Sequence, residues 1–244
     1  MSRVGIVSQV RMGSTRLPGK VLLPAAGRPL LDYHVARLRR SGLPVLLATT
    51  TAAADDVLAD YAETHNLPYH RGSETDVLAR YHETAVRFNL DVVVRVTSDC
   101  PLVDGLLIKE AVARYLDEGD PRVYRSNGIT RTFPRGLDFE IFSAQLLAEA
   151  HARATQPYER EHVTPYLHTF LAKVGQVVLR SEECPGGDFS RFRITLDTPA
   201  DYAVLLALIE NHRAAELDLP ELLALLESQP EIMALNAHIE QKTT

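Results

Sequence analysis

The sequence predicts an α/β protein, a three-layer α/β/α sandwich built on a mostly parallel sheet. One observation is that short β-branched runs alternate with amphipathic stretches of about 10 to 15 residues over the first hundred positions. Another is that residues 92–96 are apolar apart from Arg95, which is typical of a strand covered by helices on both faces. This strand is therefore predicted to lie in the middle of the sheet, with right-handed βαβ connections to its neighbours.

The individual elements follow from hydrophobic periodicity and from the residues that start and stop helices. The chain opens with a strand at 4–10, a loop containing Gly, Pro and Arg, and a helix at 29–41. Further strands are predicted at 44–49, around Tyr69, and at 91–97, 138–142, 176–180 and 192–196. Further helices are predicted at 54–66, 76–88, 143–154, 158–171 and 199–212, followed by acidic helices to the end of the chain.

Residues 1–244 are predicted to form a single domain, because no internal repeat and no linker long enough to separate two domains is present. The segment from about 119 to 171 breaks the alternation of strands and helices, and its first part is rich in Gly and Pro. We interpret this segment as an insertion that carries a substrate lid.

Composition excludes several classes of protein. The chain is 45% hydrophobic and 24% charged, as an ordinary globular protein is, and its net charge of −6 argues against a nucleic-acid partner. Its apolar runs are too short to cross a membrane, and no signal peptide is expected because the first residues lead straight into a strand. The two cysteines lack a metal or paired spacing, which favours a cytoplasmic location. Residues 1–40 carry eight Lys or Arg and one acid, so this end could hold a small polyanion.

The loop at 9–20 is the strongest candidate for a binding site. It follows the first strand, so its amides are expected at the carboxyl edge of the sheet, where such folds bind ligands. Phosphate groups need dense N–H donors and cations, and the loop offers small residues and basic ones: Gly13, Ser14, Thr15, Gly19, Arg11, Arg16 and Lys20. The loop matches neither the Walker pattern nor the dinucleotide-binding pattern. A surface turn with solvated basic residues is the alternative.

Two aspartates are candidate metal ligands, since each follows a predicted strand. Asp99 comes after the central strand and Asp197 after the strand at 192–196. Carboxylates at neighbouring strand ends can share a hard cation such as Mg²⁺, which also takes phosphate and water oxygens. The alternatives are a turn residue before Pro101 for Asp99 and a helix N-cap for Asp197.

The loop 11–20, RMGSTRLPGK, resembles the signature loop of the sugar cytidylyltransferases, the enzymes that make CMP-activated acidic sugars. Further blocks of similarity lie at 71–81, 95–104, 133–140, 159–165 and 193–201. In this order and combination they resemble the branch of that family that acts in spore-coat polysaccharide biosynthesis, and they span nearly the whole chain. The resemblance implies the nucleotide-diphospho-sugar transferase type of α/β/α sandwich.

The resemblance also implies an activity. A sugar hydroxyl would attack the α-phosphate of CTP in line and release pyrophosphate, giving a CMP-sugar for surface polysaccharide. Mg²⁺ would be held by Asp99 and Asp197, which would be catalytic together with Arg11 and Lys20. The remaining nucleotide contacts would fall to Ser8, Gln9, Gly13, Ser14, Arg16, Arg71, Ser73 and Asp76. For Asp76 the alternative is the first turn of a helix. The family commonly dimerises through such an insertion, so we expect a homodimer.

The sugar acceptor is expected to contact the insertion, where an Arg would suit a sugar carboxylate. The candidates are Arg131, Arg135, Asp138, Glu140, Glu161 and His162. The last two lack the spacing of a zinc motif. Residues 95–98 differ from the synthetases of eight- and nine-carbon acidic sugars, so the identity of the acceptor stays open. Two other functions also stay open: a metal-dependent glycosyltransferase, and a nucleotide-binding module without turnover in a polysaccharide-assembly complex.

Overall fold

Seven strands form the central sheet in the computed structural model, which describes residues 2–240. The strands of this part of the chain are β1 Val4–Gln9, β2 Pro24–Ala25, β3 Arg28–Pro29, β4 Val45–Thr50, β5 Tyr69–Gly72, β6 Val92–Thr97, β7 Val123–Ser126, β8 Glu140–Ser143 and β9 Val178–Ser181. The order across the sheet is β5-β4-β1-β6-β8-β7-β9, so β6 lies in the middle, as predicted. The short strands β2 and β3 pair only with each other.

The sheet is mostly parallel. The pairs β1–β4, β1–β6, β4–β5 and β7–β9 are parallel, whereas β6–β8 and β7–β8 are antiparallel. The helices of the described chain are α1 Leu30–Arg39, α2 Asp56–Thr64, α3 Val77–Arg87, α4 Gly105–Glu118, α5 Ala144–Arg153, α6 Pro157–His162, α7 Pro199–His212, α8 Leu219–Ser228 and α9 Pro230–Ala234. The predicted helix at 199–212 is confirmed, and residues 241–244 of the predicted helical end lie outside the described part. No helix among residues 2–240 is long and apolar enough to span a membrane.

Helices cover both faces of the sheet, which confirms the three layers. Side chains alternate along a strand, so Val92, Val94 and Val96 of β6 face one way and Val93 the other. The first three pack into a core shared with α1, α4, α7 and α8. Val93 packs into a second core shared with α3 and α5. Arg95 falls on the same face as Val93, near the carboxyl end of the strand.

The predicted strand at 192–196 is wrong. The segment is extended, but among the described residues it makes only an isolated bridge between Arg135 and Arg193. The Ile194 amide donates to the Arg135 carbonyl and the Leu196 amide to the Asp99 carbonyl, each at 2.8 Å. The segment therefore crosses the end of β6 instead of joining the sheet, which still brings its carboxyl end beside Asp99.

The predicted continuous helix at 158–171 is also wrong. It consists of α6 and of a wider π-helical turn at Tyr166–Leu171. Val163 separates them with φ 71° and ψ −54°, a positive-φ conformation that a β-branched residue rarely adopts. Pro165 explains the break, because proline offers no N–H and disfavours a helical conformation in the residue before it.

Several elements were not predicted, among them the short strands β2 and β3, helix α4 and strand β7. Helix α4 begins at Asp104, whose carboxylate accepts from the amides of Leu106 and Leu107, and ends at Gly119 with φ 67°. Strand β7 lies within the Gly- and Pro-rich part of the 119–171 segment. Since β7 and β8 both belong to the central sheet, the segment contributes two strands to it. That it also carries a substrate lid stays a prediction.

Candidate functional site

A cavity of about 290 Å³ opens at the carboxyl edge of β1 and β6. We call it the basic cavity. Its charged lining residues are Arg11, Arg16, Lys20, Arg80, Asp99 and Asp197. Gln9, Ser14 and His162 also line it. The structure thus brings the predicted loop and both predicted aspartates together at one place.

Lys20 lies between the two aspartates. Its Nζ is 3.0 Å from Oδ2 of Asp99 and 3.0 Å from Oδ1 of Asp197. The lysine side chain is 12% exposed, and the two carboxylates are 27% and 14% exposed. Burial alone would lower the pKa of Lys20, but the two carboxylates raise it above its ordinary value. Lys20 is therefore a fixed cation at neutral pH.

The same site suits a divalent cation. Burial would raise the pKa of Asp99, but the Lys20 ammonium and hydrogen bonds to the carboxylate hold that pKa below its usual value. Two carboxylates that already share one cation provide the oxygen ligands that Mg²⁺ prefers. No cluster of three or more His, Cys, Asp or Glu side chains lies among residues 2–240 to complete a metal site. A metal held by Asp99 and Asp197 would thus take its other ligands from a bound phosphate and from water.

Asp197 is held by cations on both sides and is not a helix cap. Arg16 lies 3.1 Å from its Oδ1, and Arg193 lies 3.1 Å from its Oδ2. The N-cap of α7 is Thr198, which forms a capping box with Asp201. Asp201 also accepts from the Asp197 amide at 3.1 Å. The capping alternative for Asp197 is therefore wrong, and its carboxylate faces the basic cavity.

Local hydrogen bonds fold the loop over the strand end. The Gly19 amide donates to the Met12 carbonyl at 3.0 Å, and the Met12 amide donates to Asp55 at 2.7 Å. Gly19 has φ 68°, a conformation that costs glycine little and other residues more. Lys20 follows immediately and opens a short 3₁₀ turn at Lys20–Leu22. The turn at Gly19 thereby directs Lys20 toward the aspartates.

A second cavity of about 320 Å³ adjoins the first, and Thr97 lines both. We call it the Arg95 cavity. Its other principal lining residues are Arg95, Tyr124, Arg131, Asp138, Glu140 and His168. Three of the predicted acceptor residues, Arg131, Asp138 and Glu140, are thus gathered here. Most of the wall comes from the 119–171 segment.

Arg95 and Glu140 form an ion pair in the floor of this cavity. They are direct partners across the antiparallel pair β6–β8. Arg95 donates from Nη1 to Glu140 Oε2, while Tyr124 and Thr164 donate to Oε1 at 2.8 and 2.9 Å. Burial would raise the pKa of Glu140, but Arg95 and these donors hold it below its usual value. The pair is therefore ionised and fixed.

Several predicted contacts lie outside both cavities. Arg71 donates to the carbonyls of Thr50 and Ala52 and pairs with Asp56. Four other predicted contact residues also line neither cavity: Ser73, Asp76, Arg135 and Glu161. Asp76 accepts from the Ala79 amide as the N-cap of α3, which confirms the alternative for it, and also pairs with Arg160. Gly13 lies in the loop near Glu74.

Ser8 lies beneath the basic cavity and does not line it. It is fully buried and hydrogen-bonded to Ser98 and to His34, each at 2.8 Å. The other nitrogen of His34 contacts the Cys100 carbonyl at 2.9 Å. Burial lowers the pKa of His34 from 6.5 to about 4. The Ser8 side chain thus supports the strand end. The predicted nucleotide contact at Ser8 and Gln9, expected chiefly from the backbone, stays a prediction.

This buried histidine predicts a pH dependence of stability. The unfolded chain takes up the His34 proton near pH 6.5 and the folded chain only near pH 4. The free energy of unfolding is therefore highest above pH 6.5 and falls as the pH drops through this window, by up to about 3 kcal/mol for this group. In urea titrations at about pH 7 and pH 4.5, His34→Asn is expected to lose less stability than the wild type. The exposed His238→Asn is the control, and identical losses in wild type and His34→Asn would contradict the assignment.

Sequence reasoning missed several residues of the two cavities, and four of them bear on the charge or the aromatic character of the lining. Arg80 lines the basic cavity from α3, and Tyr124 and His168 line the Arg95 cavity. Arg95 was noticed only as a departure from other synthetases. The signal for Arg95 is a charge inside an otherwise apolar strand, since such a charge needs a buried partner. No comparable signal marks the other three, which depend on how distant segments meet.

Comparisons with known proteins agree with this geometry. A sequence model of the family described as cytidylyltransferase matches residues 4–232. Over 239 residues the chain is 31% identical to the spore coat polysaccharide biosynthesis protein SpsF of Bacillus subtilis, covering 95% of this chain and 97% of that protein. It superposes on the structure of a cytidylyltransferase from Leptospira borgpetersenii with a TM-score of 0.91 and 33% identity, over 99% of this chain and 100% of that one. A CMP:2-keto-3-deoxy-manno-octonic acid synthetase complexed with CTP shares the fold, with a TM-score of 0.63 and 17% identity over 88% and 100% of the two chains. The predicted fold and the resemblance are confirmed.

Proposed function

Because the chain belongs to the cytidylyltransferase family, we propose that it transfers CMP from CTP to a sugar and releases pyrophosphate. The name of the Bacillus subtilis relative supports a role in building a surface polysaccharide such as that of the spore coat. A synthetase of the same fold was solved with CTP, which supports CTP as the nucleotide.

The charge of the basic cavity carries this proposal. Four cations face two carboxylates there, so the lining has an excess of positive charge. A nucleoside triphosphate brings several negative charges, and Mg²⁺ usually accompanies it. The cavity also lies at the carboxyl edge of the parallel strands, where α/β sheets bind nucleotides. Anion, cation and protein charges would therefore balance when Mg²⁺ and CTP are bound.

The chain's own residues would act by position and charge. Gln9 lies at the end of β1 and would approach the nucleoside, while Arg11, Ser14 and Arg16 would bind the phosphates. Lys20 would stabilise the charge that develops on the α-phosphate and the leaving pyrophosphate. Asp99 and Asp197 would hold Mg²⁺, which would neutralise phosphate charge and lower the pKa of a bound hydroxyl. The acceptor would lie in the Arg95 cavity, which meets the basic cavity at Thr97.

We also retain a homodimer as a proposal. Tyr158 and Phe170, both in the 119–171 segment, are 42% and 51% exposed, and Val174 just beyond it is 51% exposed. Large exposed apolar side chains on one segment are candidates for a protein interface. A second copy packed on this segment would cover them. A cytoplasmic location, expected from the two unpaired cysteines, likewise stays a prediction.

Nucleotide preference tests the function. In a thermal-shift series with Mg²⁺, CTP is expected to raise the melting temperature more than ATP, GTP or UTP does, because a ligand that binds only the folded state stabilises it. Pyrophosphate release with a panel of sugars then tests turnover. A purine nucleotide ranking first would contradict the proposal. CTP binding without pyrophosphate release from any sugar would favour the alternative of a nucleotide-binding module without turnover.

A further inference from the structure

The two cavities differ in charge. The basic cavity has four cations and two carboxylates, whereas the Arg95 cavity has two cations, Arg95 and Arg131, and two carboxylates, Glu140 and Asp138. Its histidine, His168, is largely buried, which lowers its pKa, so it adds no charge near neutral pH. The second cavity is therefore close to electrically neutral although it contains two arginines.

Breaking the Arg95–Glu140 ion pair costs free energy. The Glu140 side chain is only 17% exposed, and its carboxylate accepts hydrogen bonds from Arg95, Tyr124 and Thr164. The cross-strand register of β6 and β8 fixes both backbones. Releasing Arg95 to bind a ligand carboxylate would leave the Glu140 charge buried without its cation, which is strongly unfavourable.

Arg95 nevertheless has a hydrogen-bonding group to offer. Among the described residues its Nε has no hydrogen-bond partner, although this atom is buried. Its guanidinium lies over the ring of Tyr81, 5.5 Å from the ring centroid. Nε itself is too buried for a ligand atom to reach, but the Arg95 side chain lines the cavity and is 14% exposed, so a ligand oxygen would approach its exposed part. Such an oxygen would meet a donor whose charge is already neutralised.

The second ion pair and an aromatic side chain of the wall also favour an uncharged ligand. Arg131 and Asp138 lie 2.6 Å apart, so this arginine is also neutralised. The Tyr124 ring is buried and packs against His168, with centroids 5.5 Å apart, so His168 is the partly exposed ring of this pair. Ring faces beside hydrogen-bonding groups match a neutral sugar, which has apolar C–H faces and hydroxyl edges.

We propose that the Arg95 cavity binds an uncharged, hydroxyl-rich part of the acceptor, with Arg95 as a specificity-determining residue and Glu140 as the positioning residue that neutralises it. The inference rests on the proposed function, because it concerns the acceptor of that reaction. It departs from the expectation that an arginine here binds a sugar carboxylate.

Matched sugars test the proposal in the wild-type protein. The probes are D-glucose with D-glucuronate and D-galactose with D-galacturonate, which differ only in a carboxylate. Their binding is measured by calorimetry without CTP, so the result does not depend on turnover. The neutral member of each pair is expected to bind more tightly, and tighter binding of the acids would overturn the proposal. A failure of CTP binding or of pyrophosphate release would instead count against the proposed function.

Variants of the Arg95–Glu140 ion pair test whether the neutralisation of Arg95 causes the preference for neutral sugars. Glu140→Gln leaves Arg95 charged and uncompensated, so D-glucuronate is expected to bind at least about tenfold more tightly than to the wild type. The double variant Arg95→Met and Glu140→Gln, in which both charges are absent, is expected to lose this gain. No gain in Glu140→Gln, or a gain that persists in the double variant, would overturn the proposal.

The more exposed ion pair of Arg131 and Asp138 provides the same test if Glu140→Gln does not fold. Asp138 is 36% exposed, so Asp138→Asn is not expected to disturb the fold and leaves Arg131 uncompensated. It is expected to raise D-glucuronate affinity in the same direction. Unchanged affinity in a folded Asp138→Asn protein would contradict the claim that ion pairing excludes acidic acceptors.

Discussion

Replacing Asp197 with asparagine is expected to lower CMP transfer by roughly a thousandfold or more while the protein stays folded. Asparagine keeps the shape and one acceptor oxygen but removes the charge that Lys20, Arg16 and Arg193 share. A bound Mg²⁺ would lose one of its two carboxylates. Pyrophosphate release as a function of Mg²⁺ concentration measures the loss, and CTP binding without Mg²⁺ is expected to change much less.

Asp218→Asn is the matched control for this variant. Asp218 is the N-cap of α8 and accepts from the Glu221 amide, a role that asparagine fills equally well. This control is therefore expected to keep full activity and stability. An Asp197→Asn enzyme that is active with an unchanged Mg²⁺ requirement would remove Asp197 from the site.

Lys20→Met is expected to lower turnover by roughly a hundredfold to a thousandfold, because one cation directed at the reacting phosphates is lost. The fold is expected to persist, since the ammonium contacts only the two carboxylates among the described residues. Unchanged pyrophosphate release would show that Lys20 takes no part in the reaction. Lys109→Met, an exposed change on α4, is the control.

The same variant has a second expected result that does not depend on turnover. Without nucleotide, the Lys20 ammonium occupies the space between Asp99 and Asp197, where a metal ion would lie. Removing it is expected to raise the affinity for Mn²⁺ alone by at least about tenfold, because the ammonium no longer competes. Electron paramagnetic resonance of free Mn²⁺ measures this directly. Equal Mn²⁺ affinity in wild type and Lys20→Met would indicate that these carboxylates do not hold the metal.

The parts of the fold that depend on local pattern could be predicted from the sequence. The central position of β6 follows from its apolar run, and α7 follows from periodicity between its start and stop residues. Lys20 and Asp99 could be predicted to lie close together. The loop at 9–20 follows β1 and Asp99 follows β6, and both strands end at the same carboxyl edge of the sheet. The signals for α4 were also local, in Asp104 and Gly119, and were not used.

The parts of the fold and of the site that could not be predicted depend on contacts between distant segments. Whether 192–196 joins the sheet is decided by hydrogen bonds to Arg135 and Asp99, not by its own β-branched residues. The partnership of Arg95 with Glu140 depends on the register of β8 against β6, which periodicity alone does not determine. Likewise Arg131, which the sequence offered as a carboxylate-binding residue, is paired with Asp138 in the structure.

The hydrogen bonds of Lys20 also set the order in which the site can assemble during synthesis on the ribosome. The bond to Asp99 joins residues 79 positions apart, whereas the bond to Asp197 joins residues 177 positions apart. The lysine and its first aspartate are therefore both present in the chain once fewer than half of its residues have been translated. The second aspartate arrives only when about four fifths of the chain exists. Until then an incomplete chain holds one carboxylate, and a protein truncated by premature termination before this point could not bind the metal as the complete one would.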